Sequence, residues 1–267
     1  MEPASTASWC QNQEFPIRKL TVVLSGAVSA LLAAALSFAG DAGQDAVSAH
    51  SAPVDLKPYT ATYKTTARGL SLTLHRELKL NPDGVYTLTN GGSALIVGFK
   101  EEAIFRVEGS RLIPRSYVYQ GTGLMSRRRE VQFTEGADTV RSLYKDKWYD
   151  LPYTDTTLDR MSQQEQMRLL LLNDPTPGED IVITVADKKR VKKYTLVYVG
   201  EETLKTPLGT VDTLHFRRIH DNPERKSDTW IAPAWEFLMV KTVHIEDGKP
   251  IEGMITAASI DGVKVGR

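Results

Sequence analysis

Cysteine is almost absent: the 267 residues hold one, Cys10, and it precedes the first long apolar run. Beyond it the chain has no thiol, so disulfides, thiolate-held metals and cysteine nucleophiles are excluded there. A net charge is missing as well. The 33 Lys and Arg balance the 33 Asp and Glu, and without a basic excess no nucleic-acid partner is expected. The five histidines, His50, His75, His215, His220 and His244, show no short helical zinc-binding spacing. The Gly-x-Ser-x-Gly nucleophile elbow is absent as well. No metal or cofactor is expected, and no catalytic set rises from the sequence.

Long hydrophobic runs are scarce too. In the one that stands out, Arg18-Lys19 precedes an uncharged stretch from Leu20 to Ala39, which ends with small residues at Ser37 and Ala39. This is the pattern of a secretory signal peptide over residues 1–39. The run nearly reaches the roughly 20 apolar residues that span a bilayer, so an uncleaved signal anchor is the alternative. In that case membrane contact is through this segment alone. Either way the rest is expected to be periplasmic or otherwise exported. Residues 40–58, rich in Ala, Ser, Gly and Asp, read as a linker. Residues 59–262 then form a single β-rich domain, within the size range of all-β domains.

What fills that domain is alternation of period two broken by turn residues. Tyr59, Ala61 and Tyr63 alternate with Thr60, Thr62 and Lys64. Leu70, Leu72, Leu74, Leu78 and Leu80 share one strand face with Arg76 in their midst. A bulge or a snorkelling side chain could accommodate that charge. The functional reading is a cation lining a cavity, paired with an acid or with a ligand's anionic head. Asn81-Pro82-Asp83-Gly84, Asn90-Gly91-Gly92, Glu108-Gly109-Ser110 and Glu135-Gly136-Ala137-Asp138 mark reversals. From Lys193 to Ile260 the pattern is densest. Tyr194 to Val199 has two apolar faces and is expected to be covered on both, with Gly200-Glu201-Glu202 ending it. Thr206-Pro207-Leu208-Gly209 and Asp247-Gly248 are hairpin turns, and Ala232-Pro233-Ala234 predicts a bulge or a strand crossing.

One segment has helical spacing. Between Thr157 and Asn173 apolar residues fall at Leu158, Met161, Leu169 and Leu172, widened by Met167, Leu170 and Leu171, after an Asp155-Thr156-Thr157 start. The expected fold is therefore mainly β: a large antiparallel meander curled into a half-barrel, with one α-helix covering it.

Three phrases, LDRMSQQEQMRLLLL, GEETLKTPLGTVDTLHFRR and TWIAPAWEFLMVKTVHIEDG, together resemble the bacterial exported family known as domain of unknown function 3108. The matching elements are Asp159-Arg160-Met161-Ser162, Thr206-Pro207-Leu208-Gly209 and Trp230-Ile231-Ala232-Pro233, and the family's Leu-Pro is Leu238-Met239 here. The resemblance implies an exported β-rich half-barrel similar to periplasmic lipoprotein carriers, and it implies no activity.

Two functional readings follow. One is a non-catalytic binding or envelope-maintenance module with an apolar groove, whose candidate partners are a lipid, an acyl chain or an envelope protein. Its candidate groove residues are Arg76, His215, Arg217 and Trp230. The other is an envelope hydrolase whose site is assembled from several strands around Arg76, His215 and Arg217. Asp159 and Glu165, or Glu201 and Glu202, offer a carboxylate pair, but capping and solvated charge are the commoner uses of such residues and are the reading here. The basic clusters Arg127–Arg129 and Lys188–Lys193 are read as solvated edge charges or as contacts for anionic head groups.

Overall fold

The computed structural model describes residues 54–266, apart from 68, 69, 95, 96, 124, 125, 177, 179 and 247. The expected signal segment and most of the linker lie outside the described residues. The first half of the domain is a ladder of neighbours in chain order: β1 (Tyr59–Ala67), β2 (Leu70–Leu80), β3 (Tyr86–Ala94), β4 (Val97–Glu108), β5 (Arg111–Gly123), β6 (Arg127–Gln132), β7 (Thr139–Tyr144) and β8 (Lys147–Pro152). A two-residue bridge strand β9 (Thr157–Leu158) and the helix α1 (Ser162–Asn173) follow. The second ladder is β10 (Ile181–Asp187), β11 (Arg190–Thr206), β12 (Gly209–Arg218), β13 (Lys226–Ala232), β14 (Leu238–Glu246) and β15 (Lys249–Ile260), with β16 (Val263–Lys264) paired to β15.

The two ladders join where β1 pairs antiparallel with β15, Tyr59 facing Ile260. All sixteen strands thus form one sheet running from β8 to β9. It is antiparallel throughout except for the β9–β10 bridge. Among the described residues no ladder links β8 to β9, so the sheet stays open. It curls until its two ends approach: β7 lies against β10, and the Ser142 hydroxyl donates to the Lys188 carbonyl at 2.8 Å. The curl has local causes, because register shifts at Thr62/Tyr63, Ile104/Phe105, Tyr198/Gly200 and Trp230/Ile231 each add twist.

Inward-facing side chains of both ladders make one core, including Tyr59, Leu78, Leu88, Phe105, Tyr117, Phe216, Leu238 and Ile255. The helix sits against this concave face. Its residues Glu165, Met167, Arg168, Leu169 and Leu171 are all buried. A helix enclosed nearly all round needs no clean polar face, and this one places its charges inside. Gln166 ties it down by accepting from the Leu112 amide and donating to the Ser110 carbonyl, both at 2.8 Å. Asn173 binds both backbone groups of Val54.

Several local expectations change. The helix starts at Ser162 rather than near Thr157, because the buried Asp159 carboxylate accepts from the Met161 and Ser162 amides and from the Ser162 hydroxyl. Asn90-Gly91-Gly92 is the middle of β3, not a turn. A Cβ on Gly92 would collide with the Thr73 carbonyl oxygen, so close strand approach demands glycine there. Gly200 interrupts nothing either: β11 passes through it as a bulge with φ of 148°. The Tyr194–Val199 stretch is not covered on both faces, since Val199 is exposed. At Ala232-Pro233 the register shift is followed by a 3-10 turn, with Glu236 and Phe237 in the left-handed region.

Candidate functional site

The Leu-rich face of β2 carries Arg76 into the interior, without any register shift beside it. Bulging and snorkelling are both ruled out: the side chain is 7% exposed and pairs with Glu165 of α1 at 3.0 Å. The Tyr59 hydroxyl completes the unit, accepting from Arg76 Nε at 2.7 Å and donating to Glu165 Oε1 at 2.7 Å. On the other side of Glu165, Arg168 Nη1 lies 3.4 Å from Oε2, while Arg168 Nε donates to the Glu236 carbonyl at 2.7 Å. The Arg168 guanidinium also stands over the Tyr59 ring, 4.9 Å from its centre.

Burial sets the acid–base character of this cluster. It would raise the Glu165 carboxyl, but Arg76, Arg168 and the Tyr59 hydroxyl outweigh it and hold the group below the ordinary glutamate range. The Tyr59 hydroxyl is raised well above its usual value, chiefly by burial, and Tyr63 is pushed up to about 12 by the same cause. Arg76 moves up as well: burial opposes its charge, but Tyr59 and Glu165 prevail. Such a cluster holds fixed charge and trades no protons near neutrality. The reading of Glu165 as solvated charge is thereby corrected, since it is the buried hub of the network.

Beside the network lies a cavity of about 220 Å³ between the helix and the second ladder. Its apolar wall includes Met167, Ile183, Leu196, Ile231, Leu238 and Met239, and its polar wall includes Arg76, Glu165 and Arg168. On the Arg168 side chain the buried Nη2 has no hydrogen-bond partner among the described residues.

The other three candidate residues come together elsewhere. Pairing sets His215 opposite Trp230 and Arg217 opposite Asp228, while the alternate residues Phe216, Thr229 and Ile231 face inward. His215, Arg217 and Trp230 therefore lie on the outer face, across the sheet from Arg76. There the His215 ring stacks on Trp230 at 4.3 Å, and Lys241 covers Trp230 at 5.0 Å. Asp228 Oδ1 accepts from His215 Nε2 at 2.7 Å and from Arg217 Nε at 2.8 Å, and Trp230 Nε1 donates to Glu202 at 2.9 Å. This is a cross-strand column tied by charge, which staples β11, β12, β13 and β14 together.

A further polar group was not legible in the sequence. Ser227 Oγ lies 2.7 Å from His244 Nδ1 and 2.8 Å from His220 Nε2, because β13 pairs Ser227 with His244 of β14 and the turn after β12 carries His220. Ser227 and His244 line the cavity. Burial, followed by the influence of Arg218, His244 and Arg225, lowers the His220 pKa below its usual value. No three His, Cys, Asp or Glu among the described residues are placed to hold a metal.

The family of proteins of unknown function DUF3108 matches residues 58–253. The chain belongs to this family. No curated protein matches it. Among solved structures, a β-barrel-like protein of domain of unknown function DUF1849 from Brucella abortus is 12% identical, with a TM-score of 0.51, over 78% of this chain and 99% of that one. That likeness is one of fold. A candidate lipoprotein from Parabacteroides distasonis covers 76% of this DUF3108 chain and 95% of its own, at 10% identity and a TM-score of 0.33, too low to support an argument. No helix among the described residues is long and apolar enough to cross a membrane.

Proposed function

We propose that this DUF3108 protein is an exported, non-catalytic binding module of the cell envelope that holds the apolar part of a small ligand between α1 and the curled sheet. Export is supported by the Arg18-Lys19 and Leu20–Ala39 pattern. The carrying observation for binding is the cavity itself. It is a half-open cleft of about 220 Å³ with a largely apolar wall, set next to a fixed charge network. It is smaller than the roughly 300–1,000 Å³ of pockets that enclose drug-sized molecules, so it suits a short chain or the end of a longer one. Native mass spectrometry of the purified protein, with solvent extraction, is expected to recover an apolar or amphiphilic compound. Recovery of none, together with no binding of short-chain probes, sinks the reading.

The hydrolase reading has one observation in its favour, and it is not the Arg76, His215 and Arg217 set. It is Ser227 beside two imidazoles at the cavity wall, since a serine needs a base within hydrogen-bond reach to act as a nucleophile. Screening short acyl esters distinguishes the two: turnover abolished in Ser227→Ala would replace the binding reading with the hydrolytic one.

A further inference from the structure

A second hollow, of about 590 Å³, adjoins the cavity and shares Gln163, Arg218 and His244 with it. Its lining is markedly cationic. Among the described residues, Arg160, Lys188, Lys192, Lys193, Arg218 and Arg225 face it, with two acids, Asp187 and Asp221. Neither acid makes a close pair with these lysines: Lys188 stands 4.0 Å from Asp187, and Lys192 stands 4.0 Å from the fully exposed Asp221. In a chain whose overall charge is balanced, this is a local excess gathered by three elements: the turn before α1, the β10–β11 hairpin and the loop after β12.

A separate observation points the same way. Where vestibule and cavity meet, Arg218 lies with its guanidinium carbon 3.3 Å from the centre of the Tyr194 ring, and its buried Nε has no hydrogen-bond partner among the described residues. A buried guanidinium N–H without an acceptor is costly, and at this junction an occupant rich in anionic oxygen would offset the Arg218 charge. We propose that the vestibule captures the anionic end, a phosphate or a carboxylate, of an amphiphile whose apolar end enters the cavity. This rests on the binding reading above and adds the head-group chemistry to it.

The test uses the full chain and three probes in titration calorimetry: decanoate, decanol and inorganic phosphate. A Lys188→Gln/Lys192→Gln variant removes two half-exposed charges, and its thermal unfolding is checked against the parent. Decanoate is expected to bind about tenfold tighter than decanol, to be displaced by phosphate, and to lose about tenfold in the variant while decanol binding stays unchanged. Raised salt should weaken decanoate alone. Equal binding of decanoate and decanol, unmoved by the variant, overturns the anionic vestibule and leaves the apolar-ligand reading standing. Phosphate binding with neither amphiphile identifies a free-anion site and overturns both the amphiphile and the cavity reading. Binding of none of the three overturns both as well.

Discussion

Arg76 shows how much one residue out of phase can mean. A single charge among leucines of the same strand face had to be paired or to reach water, and the chain pairs it with Glu165, 3.0 Å away on the helix. Removing one partner of a buried pair leaves the other's charge uncompensated, so Arg76→Leu is expected to cost about 3–5 kcal/mol, measured by urea unfolding. The pH dependence follows from the same network. Glu165 is held below its ordinary range in the folded state, so the unfolded chain binds its proton first as pH falls. The stability it contributes is full above the unfolded glutamate value and is lost as pH falls through the folded one. Glu165→Gln should flatten that part of an acid-unfolding curve followed by circular dichroism. The oddity of Arg76 was legible in its strand, but its partner was not, because Glu165 sits on another element and its spacing fitted an ordinary solvated helix face. Strand alternation did group His215 with Arg217. It could not say that their face was the outer one, since period two divides a strand into faces without orienting them to the core. Ser227 and its two histidines carried no signal at all, being joined by strand register.

Elements were read best where a turn has its own chemistry and worst where glycine serves packing. Pro207-Leu208 between Thr206 and Gly209, and Pro82 to Gly84, form the reversals their residues call for. Gly91-Gly92 has the same composition and the opposite use, since it lets β3 run close beside β2. Gly92→Ala should therefore shift backbone rather than stiffen a turn, at a cost of about 1–3 kcal/mol in thermal or denaturant unfolding. The helix was recognised by its apolar spacing and mistaken in its start, because Asp159 forms its hydrogen bonds one turn later than the expected cap. Its anchorage to the first ladder depends on Gln166, which satisfies a strand amide and a turn carbonyl at once. Gln166→Ala should lower stability by about 1–3 kcal/mol, and hydrogen exchange should show the Leu112 amide losing protection before distant strands do.

At the scale of the whole molecule, the sequence conveyed one curled antiparallel sheet with a covering helix, but not which strands join its two halves. Pairing of β1 with β15 depends on strands at opposite ends of the chain, and no local pattern announces it. The approach of the two sheet ends was equally silent: buried Ser142 looks like any strand serine until its hydroxyl meets the Lys188 carbonyl. Ser142→Ala should loosen that seam. Faster amide exchange in β7 and β10, with β1 and β15 unaffected, is the expected signature, and uniform change across all four strands would show that the seam bears no separate share of the structure.

The meeting of β1 and β15 has a further consequence for synthesis. Tyr59 finds its neighbour Ile260 only when nearly the whole polypeptide has emerged, so β1 waits with one flank open while the remainder is made. Loop closure over such a span is slow, and an open flank invites pairing with other chains. A nascent chain of this kind gains from an escort that shields it until the final segment arrives, and a premature stop before Lys249 leaves β1 without its second neighbour.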